Sequence, residues 1–242
     1  MEYFKVGGGV EDSQYLKNVL KRIDGRGYKA YQDLRGSYQF NNFTLHVDHV
    51  QKDPYASPSI LRVEVEDHLF PTHFFNTPVR KVAMEDYLAR SFQKAIYAHL
   101  SRKRGSGRSG EFRIDVGGQE ILERSCVNIA HKLELRFHLG LPAKGRRILG
   151  KEAEHLLVDI LPLIVDDSCF KTEMGQMEAH LKLGEDAHFI REQLVERGLV
   201  AFLADGSILP RRTGVCSQPL KDSVPFKSPE SLQVTITTPN QG

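Results

Sequence analysis

Three segments rich in arginine and glycine carry residue types that can bind phosphate. Glycine lets backbone N–H groups approach an anion closely, and an arginine guanidinium offers paired donors to phosphate oxygens. Such contacts give affinity without reading a base sequence. We therefore predict phosphate contacts at the following residues: Arg102, Lys103, Arg104, Gly105, Gly107 and Arg108; Lys144, Arg146 and Arg147; and Arg211 and Arg212.

Charge is unevenly distributed along the 242-residue chain, although the formal net charge is only +2. Residues 101–151 contain 12 Lys and Arg against 5 Asp and Glu, whereas residues 152–205 contain 4 basic and 12 acidic residues. The basic stretch holds two of the three segments, which favours a polyanionic partner for them. The alternative is that the two stretches attract each other or form two solvated faces.

Tyrosines in the N-terminal part could add contacts to unpaired bases. Tyr28, Tyr31 and Tyr38 lie near Arg26 and Arg35, and aromatic rings stack on bases with little regard to sequence. The alternative is that these tyrosines are packing residues beside a strand. The sequence alone leaves both interpretations open.

One glycine pattern resembles a dinucleotide-binding loop but has the wrong context. Gly105, Gly107 and Gly110 spell Gly-x-Gly-x-x-Gly. A helix is predicted before them and a strand after them, whereas the dinucleotide fingerprint needs the reverse order. We therefore predict no dinucleotide site there.

A second pattern resembles the phosphate loop of ATPases. Gly145, Gly150 and Lys151 fit Gly-x4-Gly-Lys, but Glu152 stands where a Ser or Thr would ligate Mg²⁺. The carboxylate of Glu152 would also repel the phosphates. We therefore predict no ATP site in this segment.

Histidines and cysteines give no convincing catalytic or metal site. On a strand, His46 and Asp48 share one face while His49 points to the other, and no fourth metal ligand is evident. The cysteines lie more than 40 residues apart without a Cys-x-x-Cys pair, and no base is evident for Cys126. We predict no metal, no catalytic residue and reduced thiols.

The chain has no sequence feature of a secreted or membrane-spanning protein. The N-terminus lacks the apolar core of a signal peptide, and no 18-residue apolar run exists. We therefore expect a soluble protein of the cytoplasm, with an organelle as the open alternative.

The periodicity of apolar residues predicts an α+β fold, a mixed sheet with flanking helices and basic glycine-rich loops. Helices are predicted at residues 16–23, after a cap at Asp12 or Ser13, and at 80–100, 152–165 and 187–197. Strands are predicted at residues 43–47, 61–65, 112–116, 125–129, 132–141 and 232–238.

Seven long strings in a fixed order resemble the family of predicted ATPases of the ABC class. The strings are IDGRGYKAYQDLRGSYQF from Ile23, LHVDHVQKDPYASPS from Leu45, RGSGRSG from Arg104, GQEILERS from Gly118, LPAKGRRILG from Leu141, RGLVAFLADGSILPRRTGV from Arg197 and PFKSPESLQVTITTPN from Pro225. The resemblance is specifically to the domain before the Walker A strand. The sequence differs at Arg108, where relatives often have lysine.

The resemblance implies an N-terminal α+β domain over residues 1–242, with a sub-boundary near 101–110, that ends before an ABC-type ATPase core. It implies ATP and Mg²⁺ for that core, and RNA association in at least part of a family related to RNA-editing-associated ATPases. The implied partners are single-stranded RNA and the ATPase core of the same polypeptide, with a homodimer as a further assembly to test.

Two functions follow as hypotheses. In the first, the domain binds single-stranded RNA through the basic segments, because the cations are concentrated while base-reading side chains are few. In the alternative, it is a structural or oligomerisation domain that packs on the ATPase core and its nucleotide. An independent enzyme is the least favoured class, since no complete catalytic constellation is present.

Overall fold

A computed structural model of the chain describes residues 9–66, 69–100 and 105–240. The chain divides into two compact units. Unit 1 comprises Met1–Thr72, Glu85–Val116 and Arg124–Glu173, and unit 2 comprises His73–Met84, Gly117–Glu123 and Met174–Gly242. The mixture of helices and a mixed sheet is the predicted α+β class.

Unit 1 is built on a seven-stranded sheet with the order β1-β2-β3-β4-β7-β5, in which β6 also pairs with β7. Only β1 and β2 pair in parallel; the other neighbours in this sheet are antiparallel. The strands are β1 (Glu11–Asp12), β2 (Gly36–Gln39), β3 (Thr44–His49), β4 (Ser59–Glu66), β5 (Phe112–Arg113), β6 (Val127–Ile129) and β7 (Lys132–Leu139).

Alternation along the central strands separates a buried face from a charged face. In β4 and β7, residues such as Val63 and Leu135 are buried, while their neighbours Glu64 and Glu134 point to the other face. On the apolar side the ring centroids of Phe92 and Phe137 lie 5.5 Å apart. This face forms the core of unit 1.

Helix α1 (Ser13–Ile23) and helix α2 (Pro78–His99) confirm two predicted helices. The side chain of Asp12 caps α1 by accepting from the Tyr15 N–H at 2.7 Å. Proline at the first position of α2 is favourable, because its missing N–H would have no intrahelical partner there. A 3₁₀ helix, Tyr28–Leu34, follows α1.

The helix predicted at 152–165 is the central part of a longer helical run that includes two π-helical segments. The run consists of α3 (Gly150–Glu154), a π turn (His155–Ile160), α4 (Leu161–Val165) and a second π turn (Asp166–Phe170). Pro162 cannot donate a backbone hydrogen bond, and its ring would crowd a regular α-turn, so the wide first π turn relieves that conflict.

Unit 2 differs most from the sequence prediction. Helix α5 spans Met174–Glu196, whereas the prediction began at residue 187. The predicted strand at 232–238 was wrong: these residues include the end of a 3₁₀ turn, Glu230–Leu232, and the described chain has no strand paired with them. An extended segment becomes a strand only where a neighbour completes the hydrogen-bond ladder.

Candidate nucleic-acid interface

Four connecting segments meet where β7 ends, at what we call the loop end of unit 1. They are residues 24–28 after α1, 51–56 between β3 and β4, 105–111 before β5, and 140–151 after β7. Hydrogen bonds join all four, so the surface is a fixed assembly of backbone turns.

The glycine-rich segment is held by its own backbone donors. The N–H groups of Ser106, Arg108 and Gly110 donate to the carbonyl oxygens of Ala143 at 2.8 Å, Pro54 at 2.9 Å and Gly140 at 2.7 Å. These donors are therefore occupied by protein carbonyls. Phosphate contact from these three residues would have to come from side chains, of which that of Arg108 is exposed.

The glycines of this segment face neighbouring backbone at close range. A Cβ at Gly105 would lie 2.6 Å from the Ala143 oxygen, and one at Gly107 would lie 2.5 Å from the Pro54 oxygen. Both also have positive φ angles, +118° and +60°, which disfavour other residues. Gly105 and Gly107 thus permit the close packing of the loops.

A short hairpin presents the second group of predicted cations. Strands β8 (Ala143–Lys144) and β9 (Arg147–Ile148) flank a turn in which Gly145 has φ +59°. Lys144, Arg146 and Arg147 are all exposed on it, and the Arg146 side chain is 82% exposed.

Contacts from three sides fix the hairpin. The Gly145 N–H donates to Ser106 Oγ at 2.9 Å, and the Arg146 carbonyl accepts from the Tyr28 N–H at 2.9 Å. Asp53 Oδ2 lies 3.2 Å from Arg146 Nε. The cations therefore project from a backbone whose position is set before any ligand arrives.

A carboxylate occupies the start of helix α3. Asp24 Oδ1 accepts from the Gly150 N–H at 2.6 Å, and a Cβ at Gly150 would lie 2.6 Å from the Leu20 oxygen. The Gly-x4-Gly-Lys pattern is therefore a hairpin followed by a protein-capped helix, in keeping with its rejection as a phosphate loop.

The other predicted cations belong to unit 2 or lie outside the described residues. Arg211 and Arg212 are exposed on β10 (Arg211–Thr213), which pairs with β11 (Cys216–Pro219) in unit 2. Arg102, Lys103 and Arg104 lie outside the described residues. The structure thus brings together Arg108 and the hairpin cations, and the roles of all these residues stay predictions.

The loop end is rich in positive charge and its carboxylates are engaged. The four segments contain seven Lys and Arg, including Arg26, Lys52 and Lys151, against three acidic residues. Asp24 and Asp53 make the contacts given above, and Glu111 pairs with Arg113 at 3.2 Å. A surplus of exposed cations remains.

The basic and acidic stretches make ion pairs within themselves or with residues outside both stretches. Among the basic residues, Arg136 pairs with Glu134 at 3.1 Å and Arg146 with Asp53. In the acidic stretch, Glu185 pairs with Arg80 at 2.7 Å. These pairs do not join one stretch to the other.

Of the two interpretations of the three tyrosines, the structure supports packing rather than stacking, because all three rings are buried. The hydroxyls of Tyr28, Tyr31 and Tyr38 donate to the carbonyls of Leu141, Pro142 and Leu34. Burial raises the pKa of each phenol, that of Tyr38 to about 12. Tyr28 and Tyr31 therefore support the loop end from below its surface, and Tyr38 holds the end of the 3₁₀ helix.

No sequence pattern predicted a role for Gln51, which is buried between the segments. Its side-chain Oε1 accepts from the Leu141 N–H at 3.2 Å, and its Nε2 donates to the Asp53 carbonyl at 3.0 Å. A glutamine in a polar loop gives no local signal of such a contact. Its place inside a family-like string is the one clue that the sequence offered.

Neither a metal cluster nor an activated thiol stands out in the described parts of the chain. Across residues 9–66, 69–100 and 105–240, no group of three His, Cys, Asp or Glu side chains is arranged to hold a metal. His46 shares a hydrogen bond of 2.8 Å with Ser37. Burial raises the pKa of the Cys126 thiol to about 11.

In the same described ranges, no helix is long and apolar enough to cross a membrane.

The fold and the loop end define a two-unit α+β protein with a basic, hydrogen-bonded surface on unit 1. Residues 13–172 match the N-terminal domain of ATPases of the ABC class, and residues 173–242 match a P-loop domain. Because the first match covers about two thirds of the chain, the chain belongs to the family of ABC-class ATPases. No match was found among curated proteins.

The two matches meet after residue 172, next to the boundary between Glu173 and Met174 that separates the compact units. The predicted extent of the N-terminal domain, residues 1–242 with a sub-boundary near 101–110, stays a prediction.

Proposed function

We propose that unit 1 is an RNA-binding accessory domain of an ABC-class ATPase and that its loop end contacts the phosphates of single-stranded RNA. The observation that supports this most is the β8–β9 hairpin. It holds three exposed cations on a backbone fixed by Ser106 and Tyr28, and Asp53 pairs with the Arg146 side chain. Preformed cations pay little ordering entropy at the backbone when they bind.

The ligand class follows from what the surface offers. Exposed Lys and Arg side chains neutralise phosphates and release counterions, which gives affinity that depends strongly on salt. Asn and Gln side chains that could read base edges are scarce in the four segments, where Gln51 is buried. The binding should therefore be largely independent of base sequence.

A triple variant at the hairpin tests the proposal. Replacing Lys144, Arg146 and Arg147 by glutamine removes three cations while leaving the turn glycine in place. At about 50 mM salt, counterion release contributes roughly tenfold per phosphate contact, so affinity for an oligouridylate should fall on the order of a hundredfold or more. Fluorescence anisotropy measures the change.

A charge-matched control removes three cations from unit 2. Lys182, Arg197 and Lys227 are exposed there, and their replacement by glutamine changes the net charge by the same amount. This variant should bind nearly as well as the wild-type chain. Equal losses in both variants would mean that only net charge matters, and unchanged binding by the hairpin variant would refute the proposed site.

A second candidate function is packing of unit 1 on an ATPase core, with the basic side chains near the core or its bound nucleotide. The match of residues 173–242 to a P-loop domain in the same chain favours it. The chain contains no Gly-x4-Gly-Lys-Ser/Thr sequence, so none of its residues is assigned to ATP or Mg²⁺. Absence of oligouridylate binding at low salt would favour this function over RNA binding.

A further inference from the structure

Tyr55 is an exposed aromatic residue within the basic loop end. Its surface is 66% exposed, whereas Tyr28 and Tyr31 in the neighbouring segments are buried. An apolar ring on the surface is ordinary by itself. At the loop end, however, the ring stands among cations that are proposed to hold a nucleic-acid strand.

A tight turn fixes the backbone that carries the ring. The Tyr55 N–H donates to Asp53 Oδ1 at 3.0 Å, and the Ala56 N–H donates to the Asp53 carbonyl at 3.0 Å. Pro54 has a restricted φ, is buried, and accepts from the Arg108 N–H at 2.9 Å. The residues on both sides of Tyr55 are thus held in place.

Further contacts connect Tyr55 to the segments that carry two of the exposed cations. A Cβ at Gly107 would lie 3.0 Å from Tyr55 Cδ1, so the glycine next to Arg108 lies against the ring. Asp53, which orients the Tyr55 N–H through Oδ1, pairs with Arg146 through Oδ2. One carboxylate therefore holds both the backbone that carries the ring and an arginine side chain.

We infer that Tyr55 is a stacking platform for an unpaired base of the RNA strand whose phosphates contact Arg108 and the β8–β9 hairpin. This inference rests on the proposed function. Every base has a flat face, so stacking adds affinity without sequence preference, in keeping with the scarcity of base-reading side chains. Bases within a duplex have no free face, so single-stranded RNA is favoured over double-stranded RNA.

A tryptophan at this position gives a direct test, because the wild-type sequence contains no tryptophan. In the Tyr55→Trp variant, a stacked base should quench the fluorescence when oligouridylate is added. Tyr15→Trp is the matched control: Tyr15 is 45% exposed on the first turn of α1, whereas the loop end follows the last turn. Its fluorescence should not change.

A phosphate-only probe separates stacking from charge. An abasic ribose-phosphate oligomer should bind the cations but leave the Tyr55→Trp fluorescence unquenched. Tyr55→Ala should weaken oligouridylate binding about tenfold, and Tyr55→Phe should retain the affinity, because the ring alone supplies the stacking. Melting curves for each variant report whether the turn remains folded.

The outcomes distinguish this inference from the function beneath it. If the wild-type chain binds oligouridylate with strong salt dependence, but Tyr55→Trp is unquenched and Tyr55→Ala binds normally, the stacking role is overturned and the proposed function stands. Equal quenching by the abasic oligomer also overturns it. If the wild-type chain does not bind oligouridylate at all, both are overturned.

Discussion

Replacement of Gly140 by alanine tests whether the loop end is the rigid assembly described above. Gly140 exchanges two backbone hydrogen bonds with the glycine-rich segment. Its N–H donates to the Glu111 carbonyl and its carbonyl accepts from the Gly110 N–H, both at 2.7 Å. A Cβ at this position would overlap the carbonyl oxygen of Arg108. The distance would be well below 3.0 Å, and real Cβ atoms essentially never come so close to another atom.

The cost can be worked from those contacts. The obstacle is backbone, which cannot rotate away as a flexible side chain would, so the two segments must separate. Separation loses two hydrogen bonds at about 1 kcal/mol each. The crowding that remains adds about 1–3 kcal/mol. We therefore expect a loss of about 3–5 kcal/mol, which corresponds to a fall of roughly 10 °C in the melting temperature.

Thermal unfolding followed by circular dichroism measures this change, with Gly175→Ala as the control. Gly175 lies in α5, and a Cβ there would meet nothing within 4 Å. Alanine at that position should leave the melting temperature unchanged or raise it slightly, since alanine favours helix over glycine by about 0.5–1 kcal/mol. If Gly140→Ala melts like the wild-type chain, the segments are not packed as described.

Two further predictions concern thiols and pH. Burial raises the pKa of Cys126 to about 11 and that of Cys169 to about 12. Only Cys216, which is partly exposed, should therefore react rapidly with a thiol reagent at neutral pH. A fast reaction that persists in the Cys216→Ser variant would contradict this prediction. The His99 ring lies 2.6 Å from the Asp167 carboxylate and lowers the pKa of Asp167. The stabilisation of the fold by this contact should therefore be present above about pH 4, the pKa of an unfolded aspartate. It should disappear as the pH falls through the lower pKa of the folded state. Urea midpoints of wild type and Asp167→Asn should therefore converge in acid, and a gap that stays constant would exclude this contribution.

Strongly periodic segments could be predicted from the sequence. Helix α2 and the pair β3 and β4 appeared near their predicted positions, because their apolar residues repeat with one clear period that matches burial on one face. The start of α5 could not be predicted so well. Gly184 weakens the local helical pattern, yet a Cβ there would lie 2.9 Å from Ala83 Cβ, so packing requires the glycine.

The exposed charges of the candidate site could be predicted from the sequence, but the hydrogen bonds between its segments could not. Exposure of Arg108 and the hairpin cations follows from polar, glycine-rich loops. The bond from Gly150 to Asp24 spans 126 positions, and local patterns carry no information on such pairs. The tyrosines also show what a local pattern cannot predict. Tyr31 is buried and Tyr55 is exposed although the residue type is the same, because the fold decides which ring faces the core.

The salt dependence of RNA binding tests the central claim most directly. Oligouridylate affinity is measured by anisotropy over a range of salt for the wild-type chain and for the triple glutamine variant of Lys144, Arg146 and Arg147. On single strands each phosphate contact contributes about −0.7 to the slope of log K against log salt, so losing three contacts should reduce the steepness by about 2. Parallel slopes for the two proteins, or wild-type binding that is insensitive to salt, would contradict phosphate contact at the loop end.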